Sequence, residues 1–137
     1  GRKFATLVLA EWSPATRTLS WINAGHPPLL LRRGRELVVG EATGRPIGLL
    51  PDQRYERGSS HLDPGDLVLL YTDGVVEAGV GLPSGELGLE PLLAELAGVT
   101  TPAEIVKRVA ARLDEHLDGA PPEDDITLLC ARCSPTG

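Results

Sequence analysis

The 137-residue sequence contains no methionine, not even an initiator, and only 4% of it is aromatic. Gly1-Arg2-Lys3 leads straight into the apolar stretch 4–10, so a piece of a longer protein is expected, starting just ahead of a core strand. Basic runs are also missing. Lys and Arg number 13 against 19 Asp and Glu, giving a net charge of −6 and a pI near 5.0. Such a balance argues against nucleic acid or an anionic membrane as the main partner. No apolar stretch approaches the roughly 20 residues of a bilayer span, and the N-terminus lacks a signal-peptide layout, so a cytoplasmic location is expected.

Cysteine is scarce as well: Cys130 and Cys133 are the only two, in the run Cys-Ala-Arg-Cys. That is the spacing of half a zinc site or of a redox pair. No second pair exists, however, and only Ser134-Pro135-Thr136-Gly137 follows, where a redox motif needs a helix. On a strand, residues three apart face opposite sides. Neither metal binding nor redox use is expected of this pair.

What the chain does have is punctuation. With 16 Gly and 12 Pro it breaks into short elements, and its 42% hydrophobic residues suffice for the core of one sheet-rich domain over residues 1–137. Residues 4–10 read as a buried strand, ended by a turn at Ser13-Pro14-Ala15-Thr16, with 18–23 as the hairpin partner. Ala24-Gly25-His26-Pro27-Pro28 is an ordered corner, because two prolines forbid helix and Gly25 permits a sharp change of direction. Residues 29–32 and 36–39 form a second hairpin around Arg33-Gly34-Arg35. Residues 43–48 read as loop, 55–62 as an exposed or edge strand, and Asp63-Pro64-Gly65-Asp66 as a strong turn.

That turn delivers the chain into Leu67-Val68-Leu69-Leu70-Tyr71-Thr72-Asp73-Gly74-Val75-Val76-Glu77-Ala78. The apolar run 67–71 has no alternation, the pattern of a strand buried on both faces, and it ends in an acid. Read alone, Asp73 caps a turn for which Gly74 supplies positive φ. Beyond Ala78 the spacing becomes helical. Pro91 opens a helix carrying Leu92, Leu93 and Leu96, with Gly98 as its stop. Thr101-Pro102-Ala103-Glu104 is a capping box for a second, whose apolar face is Ile105, Val106, Val109, Ala110, Leu113 and Leu117, ended by Gly119 and Pro121. His116, near that C-terminus, suits the helix dipole.

Last comes Glu123-Asp124-Asp125 immediately ahead of another apolar strand. If the two core strands lie antiparallel, the end of one and the start of the other share one sheet edge, and Asp73 meets Asp124 and Asp125. Carboxylates that close repel unless a cation neutralises them. Oxygen-only ligation without thiolate or imidazole points to Mg²⁺ or Mn²⁺, ions that keep water for use as a nucleophile.

Phe4-Ala5-Thr6-Leu7, Asn23-Ala24-Gly25-His26-Pro27-Pro28, Pro46-Ile47-Gly48-Leu49, Pro64-Gly65-Asp66-Leu67, Tyr71-Thr72-Asp73-Gly74-Val75-Val76-Glu77-Ala78 and Asp124-Asp125-Ile126-Thr127-Leu128 occur in this order. Together they resemble the SpoIIE/RsbU-like branch of the PPM (PP2C-type) metal-dependent serine/threonine phosphatases. The resemblance implies an α+β fold, an α-β-β-α sandwich of antiparallel sheets flanked by helices, with two Mn²⁺ or Mg²⁺ ions and a metal-bound water that attacks phosphorus. It makes Asp73 and Asp124 the metal ligands, and through that water the catalytic residues. Asp125, at a position that is Asn in many relatives, and Gly74 would support them without a direct bond. His26 is assigned no chemical step; its ring is expected to tie down the proline-rich corner.

The Gly-Asp-x-x-Asp and Asp-x-x-Gly-His-Gly segments with which this family begins are not in the sequence. These residues are therefore expected to be the C-terminal part of the domain, weak in metal binding by themselves. The implied substrate is a phosphorylated bacterial signalling protein, an anti-anti-sigma factor of the STAS type. The competing expectation is a truncated or degenerate phosphatase fold that only binds a partner protein.

Overall fold

The computed structural model describes residues 3–135. In chain order the elements are β1 (Leu7–Ser13), β2 (Thr18–Ala24), β3 (Leu29–Arg33), β4 (Glu36–Gly40), β5 (Gly58–His61), β6 (Leu67–Tyr71), α1 (Asp73–Val76), α2 (Glu90–Gly98), α3 (Pro102–Leu117) and β7 (Leu128–Arg132). They form two antiparallel sheets, β1-β2-β5 and β4-β3-β6-β7. Three layers result. Leu29, Leu31, Val68 and Leu70 of the four-stranded sheet meet Leu19, Trp21 and Trp12 of the other sheet. On the opposite face Leu30, Leu67, Leu69 and Tyr71 meet Leu92, Leu96, Ile105, Val109 and Leu113 of the two longer helices. A sheet sandwiched in this way needs apolar side chains on both faces, which is why 67–71 shows no alternation.

Several joints hold the layers in register. Gly34, at φ +60, closes the two-residue turn between β3 and β4, and its N–H donates to Asp66 Oδ1 at 2.8 Å. Arg32 of β3 reaches the end of α2, donating to the carbonyls of Leu96 at 2.9 Å and Val99 at 2.5 Å, groups that the helix leaves without partners. Buried Glu95 of α2 accepts from Arg112 Nε of α3 at 2.5 Å. The capping box of α3 is half realised: Thr101 Oγ1 accepts from Glu104 N–H, while the Glu104 carboxylate takes Arg108 Nε at 3.1 Å. His116 lies in the last turn of α3, and its Nε2 is 2.7 Å from the Gly85 carbonyl oxygen, tying the 79–89 loop to the helix. No helix among the described residues is long and apolar enough to cross a membrane.

The first strand departs from expectation. It runs later, at Leu7–Ser13, and it is not buried: Phe4, Leu7 and Leu9 are 61%, 45% and 60% exposed. Among the described residues β1 pairs only with β2. Leu9 sits opposite Ile22, on the sheet face turned away from the Leu19 and Trp21 core, and no described helix covers that face. Residues 55–57 likewise stay outside β5, which is the other edge of the same sheet.

The cysteines separate as period two requires. Cys130 packs with the helix-side core and Cys133 with the inter-sheet core, and both are free thiols. Burial pushes the Cys130 thiol up to about 11, only partly offset by the Arg32 guanidinium. The folded value thus lies above the ordinary 9.0, so the stabilisation is complete below about pH 9 and is lost as pH rises towards 11. We expect the unfolding temperature to fall across that window, and less steeply in Cys130→Val; equal slopes in thermal melts would contradict this assignment.

Candidate functional site

The site is built where β6 ends and β7 begins. The ladder between them runs from Leu67 opposite Arg132 to Tyr71 opposite Leu128. Continuing that register sets Gly74 opposite Asp125, which is where the two chains touch. A Cβ on Gly74 would lie 2.2 Å from the Asp125 carbonyl oxygen and 3.3 Å from that of Asp124. The glycine is therefore required for close approach and not for positive φ, since it lies inside the helical turn α1 that Asp73 opens.

Thr72 pins the same junction. Its N–H donates to the Thr127 carbonyl at 3.1 Å, and its Oγ1 accepts from Thr127 N–H at 3.0 Å. The hydroxyl proton is directed at the carbonyls of Asp125, 3.4 Å away, and Thr127, 3.5 Å away. Across these bonds Asp73 is half-buried, and Asp124 and Asp125 sit on the exposed segment ahead of β7. Asp124 Oδ1 accepts from Asp125 N–H at 2.7 Å, which fixes that carboxyl over its own loop. Next to the site, the Tyr71 hydroxyl is buried without a hydrogen-bond partner. Burial, reinforced by the Glu41 and Asp73 carboxylates, holds the phenol well above its usual range and therefore neutral.

The donors at this edge are carboxylates and backbone carbonyls, which suits a hard divalent cation in kind. It falls short in number: among the described residues, no three or more His, Cys, Asp or Glu side chains converge in a way that could hold a metal.

His26 lies apart from this set, in a corner organised by fully buried Asn23. Asn23 Oδ1 accepts from His26 N–H at 2.8 Å, its Nδ2 donates to the Pro27 carbonyl at 3.2 Å, and its own carbonyl receives Thr43 and Gly44 N–H at 2.8 and 3.1 Å. The His26 ring bonds this corner as well: Nδ1 is 3.0 Å from the Pro27 carbonyl, which only accepts, so Nδ1 carries the proton. Gly25, at φ +67, fits because a Cβ would strike the Pro46 ring at 2.5 Å. Reading the sequence alone missed the parts played by Thr72, Asn23 and Thr43. Thr72 and Thr127 were available as a signal, since each stands inside the motif that carries an acid.

The model of the family described as Stage II sporulation protein E (SpoIIE) matches residues 1–134. Protein IcfG of Synechocystis sp. is 33% identical over 129 residues, 92% of this chain but 20% of that protein. Phosphoserine phosphatase RsbP of Bacillus subtilis is 33% identical over 78 residues, 56% of this chain and 19% of that protein. This chain therefore spans about a fifth of the length of either relative. The phosphatase domain of SpoIIE from Bacillus subtilis, solved from a Mn-presoaked crystal, superposes with a TM-score of 0.70 at 21% identity, over 95% of this chain and 57% of that one. At that identity the likeness speaks for the fold.

If Gly74 is needed for close approach, Gly74→Ala must push the 124–125 backbone aside, and we expect a loss of about 1–3 kcal/mol in denaturant unfolding. Gly98→Ala, where a Cβ would meet nothing within 4 Å, serves as the control and should be neutral or stabilising by up to about 1 kcal/mol. Equal effects at the two glycines would refute the contact.

Proposed function

The chain belongs to the SpoIIE family, in the SpoIIE/RsbU-like branch with a PP2C-type phosphatase fold, and from that premise we propose that it is part of a domain that removes phosphate from phosphoserine or phosphothreonine on a signalling protein. The observation that carries the reading is the joint of Gly74 against Asp125, which brings the Asp73 end of β6 to the Asp124 segment ahead of β7. The name of RsbP as a phosphoserine phosphatase and the Mn presoak of the SpoIIE crystal support the reaction class and a divalent ion.

In this reading Asp73 and Asp124 hold the cation, Mn²⁺ or Mg²⁺. Such an ion, when bound, lowers the pKa of water and offsets charge on a transferring phosphoryl group. The rest belongs to the chain. Thr72 and Thr127 lock the two segments so that the acids keep a fixed spacing, Gly74 lets the backbones close, and Asp125 supports its neighbour from the exposed side. Two ions need more carboxylates than this chain brings together, so residues outside the 137 would complete the centre. The chain by itself would then hold metal weakly and turn over slowly or not at all. A STAS-type anti-anti-sigma factor is the substrate we would test first.

The competing reading, a phosphatase fold that only binds a partner, is favoured by the lack of three converging metal-binding side chains among the described residues. Calorimetric Mn²⁺ titration together with a phosphopeptide assay separates the two, run on the 137 residues and on a longer protein that contains them. We expect activity only in the longer protein, lost by roughly 100-fold or more on Asp73→Asn and by about tenfold or less on Asp125→Asn. A Mn²⁺-dependent rate in the 137 residues, abolished by Asp73→Ala, would sink the idea that this centre needs residues from outside. A longer protein that bound its partner without hydrolysis would establish the binding reading instead.

A further inference from the structure

At the other end of the sandwich the two sheets part around a cavity of about 270 Å³. Trp12 of β1, Leu19 of β2, Leu62 after β5 and Val68 of β6 supply its apolar wall, and residues 131–134, of which Ala131, Arg132 and Ser134 are exposed, form the rim that opens to solvent. It prolongs the inter-sheet core, to which Leu19, Leu62, Trp12, Val68 and Cys133 all belong. The ionisable groups around it already have partners. Asp66 Oδ1 accepts from Gly34 N–H at 2.8 Å and its Oδ2 from Asp63 N–H at 2.7 Å, while Arg132 Nη1 donates to the Thr100 carbonyl at 3.5 Å. The Cys133 sulfur accepts from Arg17 Nη2 at 3.1 Å, and Arg17 Nε is bound in turn to the Leu62 carbonyl at 3.1 Å. The backbone is closed too, by Gly65 N–H to the Cys133 carbonyl and Cys133 N–H to the Asp66 carbonyl, both at 2.8 Å.

Asp66 is bonded to backbone N–H groups and Arg132 stands at the exposed rim, so a charged guest would gain nothing at the apolar wall for the water it sheds there. A neutral apolar guest gives up no hydrogen bonds to water on entry. A sealed apolar cavity of ~150 Å³ takes up benzene; this cleft, about 270 Å³ and open on one side, has room for two fused rings with one edge left in solvent. We propose that this cavity is a binding site for a small neutral aromatic molecule of about two rings, remote from the phosphatase centre. It sits at the opposite ends of the same two strands: Val68 and Asp73 are five residues apart along β6 and its extension, roughly 17 Å at strand rise, and β7 runs between the acid segment and Cys133. The proposal does not rest on the phosphatase reading, because its readout is binding.

The test is titration of the ¹⁵N-labelled protein with indole and with naphthalene, followed by heteronuclear NMR. Saturable shifts are expected at the Trp12 indole N–H and at the amides of Leu62, Val68, Ala131 and Cys133, while Asp124 and Asp125 stay still or follow at the same midpoint. Bound guest should also slow alkylation of Cys133 and leave that of Cys130, on the helix side, unchanged. Ala131→Leu and, separately, Leu19→Phe fill the cavity and should abolish binding while melting cooperatively. Either variant that folds suffices for the comparison. Absence of saturable shifts up to the solubility limit, shifts centred elsewhere, or undiminished binding in a folded filled variant would overturn the proposal.

Discussion

The antiparallel pairing of β6 with β7 is the interaction on which the rest depends. It joins residues more than fifty positions apart, and its register, Tyr71 against Leu128, fixes what stands beyond the ladder. A slip by one residue would turn Leu128 and Cys130 away from the helices and bring Leu129 into their core, so the apolar faces enforce the register more strongly than the hydrogen bonds do. The acids inherit that precision. The backbone positions of Asp73, Asp124 and Asp125 are a by-product of core packing, while the direction of the Asp124 carboxyl is set locally.

A second constraint acts through the Asn23 corner. Here a buried amide and the Thr43 hydroxyl do for an irregular segment what a ladder does for a strand. Each of these groups would be costly to bury alone. Because Asn23 is bonded to Pro27 on one side and to residues 43–44 on the other, the corner after β2 and the loop after β4 are tied to each other. The Tyr71 phenol lies near Glu41, where that loop begins. The acid edge is thus flanked by a hydrogen-bonded corner on the side away from β7.

Much of this was legible in the sequence, and the exceptions have physical reasons. The unalternating run 67–71, the capping box at 101–104 and the Gly34 hairpin each carry a local signature; the strand and the hairpin formed where expected, and the helix starts at its cap although only the threonine half of the box is made. Opposite faces for Cys130 and Cys133 follow from strand period alone. The first strand was misjudged because an apolar run reports what could be buried, whereas the partner that covers it is a tertiary matter. Glu95 shows the converse: nothing local marks it for burial, and only Arg112, seventeen residues on, makes that burial tolerable. For Gly74 the residue type was informative and the cause was not, since a Gly after Asp signals positive φ and close approach equally well until the neighbouring chain is in view. The pairing of acid-bearing ends was legible because it needs only two strand ends; convergence of carboxyl groups depends on rotamers, and one of them, Asp124, is turned to its own backbone.

Exposure of the acids has a further consequence for how folding relates to ion binding. A zinc finger gathers its ligands inside the fold and cannot form without metal. Here Asp124 and Asp125 lie in solvent, and only Asp73 is half-buried. Water screens their mutual repulsion, so the two strands can pair with the acids charged and no cation present. Folding energy comes instead from the two apolar layers on either side of β6. The acids at the edge are therefore not part of what holds the sandwich together. If the edge holds an ion as proposed, the affinity depends on how many charged oxygens that edge brings together.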